Sequence, residues 1–235
     1  MNPWSGERWA GYLEQACSEI AAMPPSFFVT VFEQSFDVSA FELAYANMPN
    51  LLAGRFERVG PVVRNRFRGV PFFLQLDLAI HRLPRDHRTH LCFHWHGLAW
   101  GSPKQVAGAL AKFGKGFGGA DGGRKRAVYD LRGALQYIAK DTRCRYVTVP
   151  PKTWDTGPTY HHREPLHGPQ RLVLLEIFNE WAKPELCIGS GIGSQLLKRA
   201  KRLAEDAGYV SFDGCRIVGD PDRPDDNDLD PYFAL

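Results

Sequence analysis

The sequence predicts an α+β fold, an antiparallel sheet with helices packed on it, and three observations lead there. Two long runs that alternate apolar and polar residues, FFLQLDLAIHRL and THLCFHWHGLAW, flank Pro84-Arg85-Asp86-His87, the pattern of a β-hairpin. Residues 26–33, SFFVTVFE, are aromatic and β-branched and predict a further strand. The segments around them carry apolar residues at helical spacing. With 235 residues, 44% of them hydrophobic, the chain can bury a core without staples.

Taken in order, Trp9, Leu13, Ala16, Cys17 and Ile20 form one face of a helix over residues 5–22, stopped by Pro24 and Pro25. The strand at 26–33 follows, then a helix over 41–56, then the hairpin of residues 72–100. Ser102 and Pro103 supply an N-cap and a first-turn proline for a helix to Phe113. GKGFGGADGGRKR reads as a flexible basic stretch, AVYDL as a strand, and Asp130 as the cap of a helix carrying residues 133–141. Residues 1–150 form the main domain in this reading. Residues 151–168, rich in proline and turn formers, form a linker. Residues 169–210 hold two amphipathic helices, RLVLLEIFNEWAK and SQLLKRAKRLAEDAG, and residues 211–235 an acidic tail. GSGIG, before the second of these helices, reads as a turn.

Charge is uneven along the chain. Residues 51–150 hold 18 lysines and arginines against 6 aspartates and glutamates, while the whole chain carries a formal net charge of only +3. A block that positive points to a polyanion, because phosphate contacts are a common reason to concentrate Arg and Lys. The five cysteines are scattered and contain no C-x-x-C pair, which argues against a disulfide framework or a zinc knuckle. No apolar run has the length of a signal peptide or a membrane span, so the expected setting is the cytoplasm, with no membrane partner.

His94-Trp95-His96 carries the chemistry. On a strand, residues two apart share a face, so both imidazoles project together while Trp95 and Phe93 enter the opposite, apolar layer. A turn centred between Arg85 and Asp86 sets Asp77 opposite His94, with Cβ atoms about 5 Å apart. One carboxylate and two imidazoles suit Mg²⁺ or Mn²⁺ acting on a phosphate, and also suit the iron of a non-haem oxygenase. Tyr137 and Lys140, spaced i, i+3 on the helix capped by Asp130, place a phenol beside an ammonium that favours its attack as phenolate.

Together these segments resemble the HUH endonuclease superfamily, in particular its single-tyrosine rolling-circle replication initiators. FFVTVF around Thr30, CFHWHGL around His94 and His96, and DLRGALQYIAK around Tyr137 and Lys140 stand in the family's order over residues 26–146. The resemblance implies an antiparallel sheet with the His-x-His strand at its centre and a Mg²⁺ or Mn²⁺ ion on Asp77, His94 and His96. It also implies nicking and joining of single-stranded DNA or an origin hairpin through a covalent 5′-phosphotyrosine on Tyr137, assisted by Lys140. Thr30, Arg124, Lys125 and Arg126 are the expected DNA contacts. The third ligand in replication initiators is more often Glu, and His81, on the same face of the strand as Asp77, is the alternative here. With no Walker motif in the chain, a host helicase and polymerase are the expected partners. Relaxases and transposases of the same superfamily, an iron oxygenase and an unreactive DNA-binding module are the other readings.

Overall fold

A computed structural model describes residues 6–20, 25, 27–37, 59–82, 89–114, 122–140, 144–149, 160–166, 168 and 183–207. The helices expected over 41–56 and 171–183, the hairpin turn and the acidic tail lie outside or largely outside them. The architecture is α+β. Helix α1 (Gly6–Ile20) precedes strand β1 (Phe27–Asp37), and helical residues 59–66 lead into β2 (Phe72–Arg82) and β3 (Thr89–Ala99). Helix α2 (Pro103–Leu110) with a 3₁₀ turn (Ala111–Phe113), β4 (Gly123–Ala127), α3 (Leu131–Ala139) and β5 (Cys144–Val149) follow. Strands β6 (Tyr160–Pro165) and β7 (Cys187–Ser190) and helix α4 (Ile192–Asp206) complete the described chain.

The strands form one sheet in the order β4-β1-β3-β2-β5-β6, and β7 also pairs with β2. Every pairing is antiparallel except β2 with β5. The His-x-His strand β3 lies between β1 and β2, inside the sheet. The hairpin register is the expected one: Asp77 faces His94, with Leu76 opposite Trp95 and Leu78 opposite Phe93. A shift by one residue would exchange the two faces of both strands.

That alternation divides the core. One face buries Val29, Val31, Leu74, Leu76, Phe93 and Trp95 under α2 and the segment bearing Val63 and Phe67. The other packs Phe28, Phe73 and Leu98 against Trp9 and Leu13 of α1, Leu135 and Ile138 of α3, and Leu196 and Ala200 of α4. Trp100 is also buried there. Capping follows the sequence: Ser102 and Gln105 form a reciprocal capping box at α2, and Asp130 Oδ1 accepts from Gly133 N at 2.9 Å.

Two local expectations are corrected. The strand expected at AVYDL is formed instead by GRKRA, which pairs with β1 from Phe27 to Val31 and ends at Ala127. Its charged side chains belong to a strand at the end of the sheet's path and face solvent, so no apolar alternation marked it. Residues 160–165, expected within a linker, pair with β5, and β7 and α4 extend the same sheet and helix layer as the main domain. The GSGIG run ends β7 and turns into α4 through Gly191.

Gly97 follows His96 where β3 crosses the middle of the sheet, and a Cβ there would run into the Phe73 carbonyl and Leu74. Gly97→Ala should lower stability by about 3 kcal/mol through overpacking. Urea unfolding of the variant beside wild type measures it, and an unchanged midpoint would contradict this packing.

Candidate metal centre and adjoining basic cleft

Asp77, His94 and His96 lie on the face covered by α1, α3 and α4, and all three are buried. Each offers a ligand atom, and these atoms lie within 4.8 Å of one another, a group able to hold a metal ion. The Asp77 carboxylate is the hub. Its Oδ2 lies 3.3 Å from His94 Nε2, 3.5 Å from His96 Nε2 and 3.2 Å from Lys140 Nζ. Its Oδ1 accepts from Leu78 N at 2.9 Å. Leu78 lies on the edge of β2 that β7 and β5 share, pairing at residues 72–75 and 80–82. Leu76 N is taken by the Leu186 carbonyl, and the next donor along the edge, Leu78 N, is taken by the aspartate itself.

His96 explains why the group fits a cation. Its Nδ1 lies 3.0 Å from Thr30 Oγ1, its register partner on β1. In the tautomer that donates Nδ1–H to Thr30, the Nε2 lone pair points toward Asp77. Nε2 is buried without a hydrogen-bond partner, because its approach to Asp77 has ion-pair distance but not hydrogen-bond geometry. A lone pair facing a carboxylate in the interior is unfavourable unless a positive charge stands between them. The set of one carboxylate and two imidazoles fits a divalent ion.

The electrostatics run the same way. Burial alone would push the Asp77 carboxyl up, but the His94 hydrogen bond and the neighbouring His94 and Lys140 hold it well below the ordinary carboxylate range. Burial pushes His96 down to about 2, assisted by His94, Lys140 and Arg126 and opposed by Asp77. The imidazole therefore stays neutral, the form in which it binds metal.

Helix α3 brings the remaining residues. The Tyr137 ring stands edge-on to His96, centroids 5.0 Å apart, and edge-on to Phe28 at 5.6 Å. Lys140, the residue that ends α3, sets its Nζ 3.9 Å from the centre of the same ring. Tyr137 is 39% exposed beside this otherwise buried group. It opens onto a cleft of about 320 Å³ lined by Phe28, Thr30, Arg124, Lys125, Arg126 and Tyr137. Arg124 and Arg126 pair with Thr30 and Phe28 and share their face, and the Arg126 guanidinium lies 4.6 Å over the Phe28 ring. Lys125 is turned to the other face, where its ammonium donates to the Pro103 carbonyl and covers the Phe27 ring.

The structure thus brings together Thr30, Asp77, His94, His96, Arg124, Arg126, Tyr137 and Lys140, and directs the Lys125 ammonium elsewhere. His81 pairs with His90, four residues along β2 from Asp77, and its side chain lies outside the described set. Sequence reasoning missed Gln75, which is buried opposite His96. Its Oε1 accepts from Trp9 Nε1 at 2.9 Å and its Nε2 donates to the Ile138 carbonyl at 3.0 Å, tying α1 and α3 to β2. The available signal was a polar residue two before Asp77, hence on the same face, in the apolar run LQLDL.

Comparison with protein-family models, with curated proteins and with solved structures gave no match to this chain. Among the described residues, no helix is long and apolar enough to cross a membrane.

Two expectations follow from this geometry. Thr30→Val, which removes the partner of His96 Nδ1, should weaken Mn²⁺ binding by about 10- to 100-fold. Asp77→Asn, His94→Ala and His96→Ala should each weaken it more. Calorimetric titration measures all four, and an unchanged affinity in the three ligand variants would place the ion elsewhere. The second concerns pH in the absence of metal. Because folded His96 resists protonation while the unfolded imidazole titrates near 6.5, the unfolded state binds more protons below that pH. Stability should be full above about pH 6.5 and fall as the solution is acidified, with a further loss below the ordinary aspartate range as unfolded Asp77 protonates. Urea midpoints across that range, flatter in His96→Gln, check the sign.

Proposed function

We propose that this chain is a metal-dependent enzyme that nicks and joins single-stranded DNA, a rolling-circle replication initiator of the HUH endonuclease type acting through Tyr137. One observation carries the reading. Three segments that resemble the family's motifs in order, around Thr30, around His94 and His96, and around Tyr137 and Lys140, meet at one point in the fold, with the Tyr137 ring 5.0 Å from His96.

Asp77, His94 and His96 would hold Mg²⁺ or Mn²⁺, which supplies Lewis-acid polarisation of a phosphate oxygen when bound. Thr30 fixes the ring of His96 so that Nε2 faces that position. Arg124 and Arg126, on the cleft side of β4, hold the phosphodiester backbone of an unpaired strand, and their fixed planar forks suit phosphate oxygens. Lys140 sets its ammonium 3.9 Å from the centre of the Tyr137 ring, where it would offset negative charge that develops as the phosphate is attacked. The Tyr137 oxygen then bonds to the scissile phosphorus as the bond from phosphorus to the 3′ oxygen breaks. The phenol gives its proton to water, the 3′ oxygen takes one from water and leaves as a hydroxyl, and the 5′ phosphate stays esterified to Tyr137. Because one phosphate ester replaces another, the step reverses when a DNA 3′-hydroxyl attacks the phosphotyrosine, which is the joining reaction.

The substrate in this reading is single-stranded DNA or the exposed strand of an origin hairpin. The setting is the cytoplasm, where a host helicase and polymerase would extend the freed 3′ end.

Incubation with a pool of single-stranded oligonucleotides and Mn²⁺, followed by peptide mass analysis, should find a nucleotide adduct on Tyr137. Tyr137→Phe should abolish the adduct while leaving Mn²⁺ affinity and oligonucleotide binding unchanged, since only the nucleophilic oxygen is lost. A covalent adduct in Tyr137→Phe would remove the residue from this role.

A further inference from the structure

The C-terminal part of the chain supplies a buried cation to the end of the helix that bears Tyr137. Lys183 is only 4% exposed, and its Nζ donates to the Lys140 carbonyl at 2.9 Å. The last carbonyls of a helix have no partner within it, and a positive charge at that end is favoured by the helix dipole. At α3 these carbonyls are held from three directions. Gln75 of β2 donates to Ile138 O, Gly6 of α1 packs against Ala139 O where any Cβ would collide, and Lys183 donates to Lys140 O.

Lys183 is itself fixed. Its carbonyl accepts from Leu186 N and from Cys187 Sγ, and Cys187 begins β7, which is paired to Phe72–Gln75 of β2. The lysine is therefore a strut between the sheet edge next to Asp77 and the backbone of Lys140, whose ammonium reaches Asp77 and the Tyr137 ring.

We infer that Lys183 is a positioning residue for the Tyr137 and Lys140 pair, so that the site described above is completed by the chain beyond residue 182. The inference rests on the proposed nicking function for its kinetic expression. Without the strut, the end of α3 keeps its hydrophobic seat through Leu135 and Ile138 but loses the bond that sets the backbone at Lys140. A displacement of the reacting groups by about 1 Å costs on the order of 100-fold in rate, whereas ligands on β2 and β3 are untouched.

The test uses the full chain with Lys183→Met, an apolar side chain of similar length, and Lys183→Arg, which keeps a cationic donor. Lys183→Met should lower kcat for oligonucleotide nicking by about 10- to 100-fold, with KM and Mn²⁺ affinity within about two-fold of wild type, and Lys183→Arg should recover most of the loss. A second readout needs neither metal nor activity. In protein labelled with fluorotyrosine, the resonance assigned through Tyr137→Phe should shift and broaden in Lys183→Met and return in Lys183→Arg. If Lys183→Met does not fold, Lys183→Gln, polar but too short to reach the carbonyl, takes its place in both readouts. A wild-type Tyr137 resonance in the shortened or apolar variant, or a parallel loss of kcat, Mn²⁺ affinity and thermal midpoint, would overturn the inference. If wild type forms no adduct, the nicking function fails and the fluorine spectrum alone decides the role of Lys183.

Discussion

The burial of a single carboxylate, Asp77, organises this molecule. A carboxylate removed from water must be surrounded by donors and positive charge, and nearly every feature of the site answers that requirement. The backbone N–H of Leu78 takes one oxygen, while two imidazoles and the Lys140 ammonium gather at the other. The strand that carries Asp77 also supplies the Leu78 N–H that its carboxylate accepts, so β2 joins the sheet and the site.

The supporting shell is as specific as the group itself. Thr30, 3.0 Å from His96 Nδ1, holds the ring plane of His96, and its own place follows from the pairing of β1 with β3. Gln75 and Lys183 tie down the end of α3 from two parts of the chain more than 100 residues apart. Buried polar side chains of this kind are costly unless fully bonded, so they hold neighbouring elements in one relative position rather than a range. Tyr137 and Lys140 inherit their placement from that network, on a short helix that ends at the site.

Electrostatics separate the site into two zones. Inside, the charges of Asp77 and Lys140 balance within a few ångströms around neutral His96. Outside, β4 presents Arg124 and Arg126 along the mouth of a cleft that ends on the Tyr137 ring. A polyanion entering that cleft would be drawn by long-range attraction toward a group whose own field is already compensated.

Much of the centre was legible in the sequence because strand alternation and hairpin register are local properties. A period of two puts His94 and His96 on one face and Phe93 and Trp95 on the other, and the turn expected at Pro84 to His87 gives the register in which Asp77 faces His94. Asp130 announced its helix in the same local way, through a cap three residues from its donor. Tertiary structure alone decided which strands lie beside the hairpin and which helices cover its polar face. Those choices bury surfaces distant in sequence, and no short-range period encodes them. So the pairing of β1 with β3, the charged strand β4, the return of β7 to β2 and the buried roles of Gln75 and Lys183 emerge only in the folded chain. A glutamine in an apolar run and a lysine before a proline acquire meaning from the carbonyls they meet, and those carbonyls lie 63 and 43 residues away.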